Sequence, residues 1–426
     1  MSNTTSIFTS VPEESWRPSD LLPAVLWGIT LVVTSLLIVT FPQHLNRWTG
    51  ISILIVPACG AFQTGHNIFP DEVFVDYYLR FIIILSSHIT WLAFRDSPTS
   101  ATNPTSVKGK PKKVHSLWLH GYKLLFNPRG VGTEWEVPNL WPGYRYTTEI
   151  TKHKTSHVKQ GANCGGTILP HQSKWPAIGT RLGYLLLKFT ILCLYYDTLN
   201  PSTLLNLTPS DFASLTTTLS VPSRTSLTLR AISTRMSLAL GNFLPDYLIL
   251  SSYHDVFAIF FIGINLDESW EWPPLFGCIS EAYSMRRFWG VFWHKLIYRS
   301  FNGHASVISS ALGMKQKGMM ARVLNNCIVF MLSGVMHGLV PWKMGVGCAW
   351  RASAEYWLMQ PVAFVVEGLV QWYWAKAMRS KLTWVDKETM TRLETMVGYV
   401  WVATWLVWEA PRRNSAIIHC GVDVSN

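Results

Sequence analysis

Long apolar runs, separated by polar and basic stretches, set the pattern of this chain. A helix that spans a bilayer needs about twenty mostly apolar residues, because the hydrocarbon core is roughly 30 Å thick. Seven runs are clear candidates: Leu21–Phe41, Phe74–Phe94, Leu182–Thr198, Tyr247–Leu266, Val323–Val340, Tyr356–Trp374 and Met396–Trp408. An eighth, Ile51–Phe62, is shorter and would have to tilt or lean on its neighbours. The pattern predicts an all-α, polytopic integral membrane protein with about eight transmembrane helices plus cytosolic interfacial helices. It reads as one membrane-embedded domain over residues 1–426, with no internal repeat.

Composition agrees. Charged residues make up 14% of the chain, against about a quarter in soluble domains, while aromatics reach 13% with 21 tryptophans. Lipid-facing surface needs apolar area and interfacial Trp and Tyr rather than charge. The net charge of +11 could suggest nucleic acid, but the basic residues lie in loops between apolar runs, which is a topology signal. Residues 95–175 carry 12 Lys or Arg against 4 acids, whereas Asn200–Leu229 has a single basic residue, Arg224. The positive-inside rule places the first loop in the cytosol and the second in the lumen. The sequons at Asn3 and Asn206 then fall on the luminal side as candidate glycosylation sites, in a membrane expected to be the endoplasmic reticulum. This parity requires residues 231–266, with Pro245 and Asp246 in their middle, to cross once. The polar first twenty residues lack a basic n-region, so no cleavable signal peptide is expected. Seven cysteines without a Cys-x-x-Cys pair give neither a zinc site nor a disulfide framework.

Chemistry concentrates at two places. His337 lies in an apolar run almost free of ionisable groups, where an unpaired polar side chain is costly, so it is a functional candidate. At helical spacing Asn326, Ser333 and His337 share a face, and Gly334 and Gly338 would admit a close neighbour. A histidine hydrogen-bonding across a helix interface would read the same way. The second place is residues 270–301, with Trp272-Pro-Pro-Leu-Phe-Gly277 followed by Ser284-Met-Arg-Arg-Phe-Trp-Gly-Val-Phe-Trp-His-Lys295. Read as a helix, Met285, Phe288, Phe292 and Leu296 form an apolar stripe, and Arg287, Gly290, His294 and Tyr298 the opposite face. An interfacial anchor would share that pattern. Asp76 and Arg80, four apart, read as a structural ion pair. Glu367 and Gln371 could line a cavity or bridge helices, and Asp246 and the His254–Asp255 pair could belong to a substrate tunnel.

The run Trp272–Lys295 resembles the signature of the wax synthase-like branch of the membrane-bound O-acyltransferases. That signature is Trp-Pro-Pro-Leu-Phe-Gly, then a Ser-x-Arg-x-Phe-Trp-Gly-x-x-Trp-His/Asn block, then a lone intramembrane histidine. Asn127-Pro-Arg-Gly-Val-Gly-Thr-Glu-Trp135 is similar to the branch's Arg-Gly-x-Gly-x-x-Trp turn. The resemblance covers about half the chain in the right order and is strongest to fungal enzymes that acetylate terpenoid and meroterpenoid alcohols. The family often has Asp before Phe-Trp, where this chain has Arg287. The resemblance implies acyl-coenzyme A, most often acetyl-coenzyme A, as co-substrate without a metal, and a lipophilic alcohol as acceptor. It makes His337 the general base and His294 its partner, either steadying the oxyanion or orienting the donor. Arg286 and Lys295 could meet the phosphates of coenzyme A. The rivals are a wax-ester synthase, set apart by donor length, and a secondary transporter, for which repeated halves would be expected.

Overall fold

The computed structural model describes residues 18–41, 46–94, 117–133, 135–138, 140, 173–216, 228–315, 318–347, 349–381 and 384–420. Asn3, Arg224 and residues 97–113 of the basic loop fall outside the described residues. Hydrocarbon offers backbone amides no partner, so a chain this apolar satisfies them within helices. Helices α1 (Pro18–Thr40), α2 (Arg47–Thr64), α3 (Glu72–Phe94) and α4 (Leu117–Leu125) come first. They are followed by α5 (Lys174–Leu194), two short helices, α6 (Pro201–Leu204) and α7 (Pro209–Thr216), and then α8 (Leu229–Gly263). The helical turn α9 (Met285–Arg287) precedes α10 (Tyr298–Ala311), α11 (Met319–Lys343), α12 (Ala349–Tyr373) and α13 (Lys387–Cys420). No strand occurs among the described residues.

Among the described residues four segments are long and apolar enough to cross a membrane: Ser19–Thr40, Glu72–Phe94, Lys174–Leu204 and Met319–Lys343. The other four apolar runs lie on α2, α8, α12 and α13. Helix α8 is continuous through Pro245 for 35 residues, about 52 Å at 1.5 Å per residue. Its start is fixed by Thr228, whose hydroxyl accepts the Ala231 N–H at 3.2 Å.

The chain forms two compact units, each assembled from segments distant in sequence. One comprises Phe8–Val137 and Leu296–Trp350. In it α1, α2, α3 and α11 share a core around Leu31, Leu54, Leu79, Leu85 and Val340. Helix α10 lies on α3, where a Cβ on Gly303 would collide with the Trp91 ring. Asn325, in α11, is buried against α10, with its amide within reach of Ala305 O and Ser309 Oγ. Asn326, the residue the helical spacing had placed in line with Ser333 and His337, is exposed near the helix start.

The other unit comprises chiefly Pro138–Lys295 and Arg351–Asn426, with α5 and α13 both packed on α8. Its buried charges tie helices together. Asp255 accepts from Arg181 Nη1 at 2.6 Å and from Lys188 Nζ at 2.5 Å, joining α8 to α5. Asp246 accepts from Arg413 at 2.7 Å, joining α8 to α13. Both thus bridge helices. The outer face of α5 is greasy, with Leu182, Leu186, Leu187 and Phe189 exposed, as a lipid-facing surface requires. Cys278 is disulfide-bonded, a pairing that the cysteine spacing, read as giving no disulfide framework, did not signal; Cys59, Cys193 and Cys327 are free.

Candidate active site

His337 occupies the last third of α11, half-buried between Met336 and Gly338. Gly338 is required there, because a Cβ would lie 2.6 Å from the Trp350 backbone. The partner of His337 comes from α3: Arg80 Nη1 lies 2.6 Å from Nδ1 of the imidazole. Arg80 is itself gripped by Asp76 one turn earlier, through Nε at 2.8 Å and Nη2 at 2.8 Å. The i, i+4 spacing had indicated that ion pair but not its third member. A contact across 257 residues leaves no periodic trace in the sequence. The only signal available was two charges in an otherwise apolar span, aimed at whatever polar group a neighbouring helix supplies.

In the same unit the Asn127–Trp135 turn forms as its glycines suggest. Gly130 and Gly132 have φ of +64° and +76°, which side chains with a Cβ rarely adopt. Asn127 closes the turn, accepting from Val131 N–H at 2.8 Å and donating to Val131 O at 2.9 Å. The turn folds Trp135 against α3, 5.3 Å from the Trp91 ring and 6.1 Å from His88. His88 in turn donates from Nε2 to Leu124 O at 2.9 Å, fastening α3 to α4.

In the other unit the Trp272–Lys295 run is built differently from a single interfacial helix. Ser284 caps the one turn of α9 by accepting the Arg287 N–H at 3.2 Å. The chain then widens into a π turn over Phe288–Phe292 and leaves helical geometry at Trp293. Met285, Phe288 and Phe292 are buried as the stripe predicts, but Leu296 and His294 lie beyond the helical part. The reason is tertiary. Gly277 N–H donates to Phe292 O at 2.7 Å, and any side chain at Gly277 would strike Val291 O. The Trp-Pro-Pro-Leu-Phe-Gly strap therefore docks edge-on against the turn. Rings of Phe243, Tyr247, Phe276, Trp289 and Trp293 pack around it.

His294 emerges from that cluster half-buried, 5.7 Å edge-to-face from Phe276 and 5.7 Å from Trp293. Glu367 of α12 supports the block: its Oε2 accepts the Met285 N–H at 2.6 Å, a role its spacing from Gln371 did not suggest. Arg286 is exposed and reaches the Phe364 carbonyl at 2.9 Å. Lys295 is buried, with Nζ on Pro138 O at 2.5 Å, so of the two cations expected to meet phosphates it is the less accessible. Arg287, standing where the family often has Asp, pairs with Glu281 and lies over the Tyr283 ring at 4.5 Å. Burial lowers its pKa.

Residues 272–370 match the membrane bound O-acyl transferase family. The chain is 24% identical to acetyltransferase atnC of an Arthrinium species, over 91% of this chain and 85% of that one. Acetyltransferase fsoF of Humicola fuscoatra is 25% identical over 74% of this chain and 71% of its own length. Acetyltransferase spyB of Aspergillus fumigatus is 30% identical over 36% of this chain and 27% of its own. No solved structure matches. The matched segment opens at the Trp272 strap and contains both His294 and His337, so over residues 272–370 the chain is similar to membrane bound O-acyl transferases, and over most of its length to proteins that are acetyltransferases.

Proposed function

We propose that this enzyme transfers acetyl from acetyl-coenzyme A to a hydroxyl of a terpenoid or meroterpenoid alcohol, as a step in secondary-metabolite biosynthesis. The observation that carries the reading is His337, a hydrogen-bonded histidine in a membrane-spanning helix and inside the matched segment. In this reading His337 takes the proton of the acceptor hydroxyl. The oxygen attacks the thioester carbonyl carbon, the C–S bond breaks, and the thiolate recovers the proton. A neutral imidazole suits that exchange near pH 7. His294 serves the carbonyl side, steadying the oxyanion or orienting the donor. Arg286, exposed on the motif, is the cation proposed to meet the phosphates of coenzyme A.

The wider reading is a single domain of about eight spans, the four apolar segments joined by α2, α8, α12 and α13. Its basic loop at 95–175 faces the cytosol, and the exposed Asn206 faces the lumen of the endoplasmic reticulum. A lipid setting limits competing hydrolysis of the thioester. The test is an acyl-transfer assay in microsomes, offering acetyl- and palmitoyl-coenzyme A against a panel of terpenoid and fatty alcohols. Acetyl esters of terpenoid alcohols are expected. Palmitoyl esters of fatty alcohols would instead establish the wax-ester synthase.

A further inference from the structure

An arginine side chain carries five N–H donors and no acceptor. The 2.6 Å contact between Arg80 Nη1 and His337 Nδ1 can therefore run in one sense, with Nδ1 accepting. A neutral imidazole has one N–H, so that of His337 sits on Nε2. The ring electron pair, the one a base must use, is the pair turned toward Arg80. Asp76 engages Nε and Nη2 of the guanidinium, each at 2.8 Å, and this fork leaves Nη1 aimed at the histidine. The carboxylate also balances the guanidinium charge.

We propose that Arg80, oriented by Asp76, is a positioning residue that holds His337 as the Nε2–H tautomer and covers its basic nitrogen between turnovers. The proposal rests on the reading of His337 as the general base. Because Asp76 holds the guanidinium by a hydrogen bond to Nη2 and a close ion pair at Nε, the imidazole turns and the arginine stays. Nδ1 then accepts the proton of the acceptor hydroxyl while the oxygen bonds to the acyl carbon. As the C–S bond breaks, the same proton passes from Nδ1 to the thiolate sulfur, giving ester and free coenzyme A thiol. His337 is neutral again, with Nε2–H intact, and returns to Arg80. No proton or electron is gained or lost over the cycle.

The arrangement has a consequence for fidelity. The bond from Arg80 is charge-assisted and stronger than a neutral one, so leaving it requires a replacement partner held in place. An acceptor alcohol is held by the rest of its bulk and supplies that partner; a passing water has no such binding energy to draw on. Covering Nδ1 would thus spare acetyl-coenzyme A from hydrolysis when no acceptor is bound.

The experiment measures acetyl-coenzyme A hydrolysis without acceptor, per folded molecule, in wild type and in two variants. Arg80→Lys keeps a cation for Asp76, but a single ammonium cannot serve the carboxylate and Nδ1 with the geometry of the fork. Asp76→Asn with Arg80→Met removes both charges together and covers the case in which Arg80→Lys folds poorly. Acceptor-free hydrolysis is expected to rise roughly tenfold, part of the 10²–10⁴ that a general base supplies. The rise should vanish when His337→Gln is added. Hydrolysis at the wild-type rate in the folded variants overturns the proposal, as does a rise that survives His337→Gln. These outcomes differ from failure of the underlying reading, which would show as normal transfer in His337→Gln alone.

Discussion

At the level of single residues, two histidines are set apart by what surrounds them. His337 is held by a guanidinium on an adjacent helix, whereas His294 sits among rings, edge-on to Phe276 and beside Trp293. Both were singled out in the sequence, His337 by its apolar run and His294 by the Phe-Trp-Gly block before it, but an interface histidine and an interfacial anchor would have left the same pattern. Their partners were not legible. Asp76 and Arg80 read as an ion pair from spacing alone, and they are one, but spacing within a helix carries no information about the helix opposite. For His294 we predict that His294→Ala lowers turnover much more than it lowers protein yield. Purified protein of wild-type specific activity would reduce the residue to an anchor.

At the level of elements, the motif segment shows why a periodic reading went partly astray. Met285, Phe288 and Phe292 are buried as a helical stripe requires, yet the helix ends there, because Phe292 O is taken by Gly277 N–H at 2.7 Å. A tertiary hydrogen bond from a Pro-Pro-containing strap overrides local propensity, and periodicity cannot anticipate it. The glycines, by contrast, were informative. Gly130 and Gly132 adopt the left-handed backbone that only a turn would ask for. Gly277 is confined by Val291 O, so Gly277→Ala must push the strap off the turn. The expected cost is on the order of 1–3 kcal/mol, typical of overpacking, with turnover falling beyond what the lost protein explains. It would be read by thermal unfolding in detergent alongside specific activity. An alanine variant as stable and active as wild type would contradict the docking described for this strap.

At the level of the whole molecule, the class was visible from composition alone. Few charges, many tryptophans and long apolar runs leave little alternative to helices in a bilayer, and the chain is helical throughout its described regular structure. Among the described residues four segments meet the length and apolarity of a span outright. Helix α8 carries Asp246 and Asp255, paired with Arg413 and with Arg181 and Lys188, and these charges dilute its apolar signal. Those pairs cost little once formed and much if broken, which is how a membrane protein can keep charge inside. The chemistry assigned to this scaffold stands or falls on one side chain. Glutamine at position 337 can still accept a hydrogen bond from Arg80 through its carbonyl oxygen but cannot take up a proton near neutral pH. Acetyl transfer by His337→Gln, measured against wild type in matched detergent preparations with acetyl-coenzyme A binding followed in parallel, is therefore the most direct test. The account predicts a fall in turnover of roughly 10²–10⁴-fold with donor binding retained; turnover at the wild-type rate would contradict it.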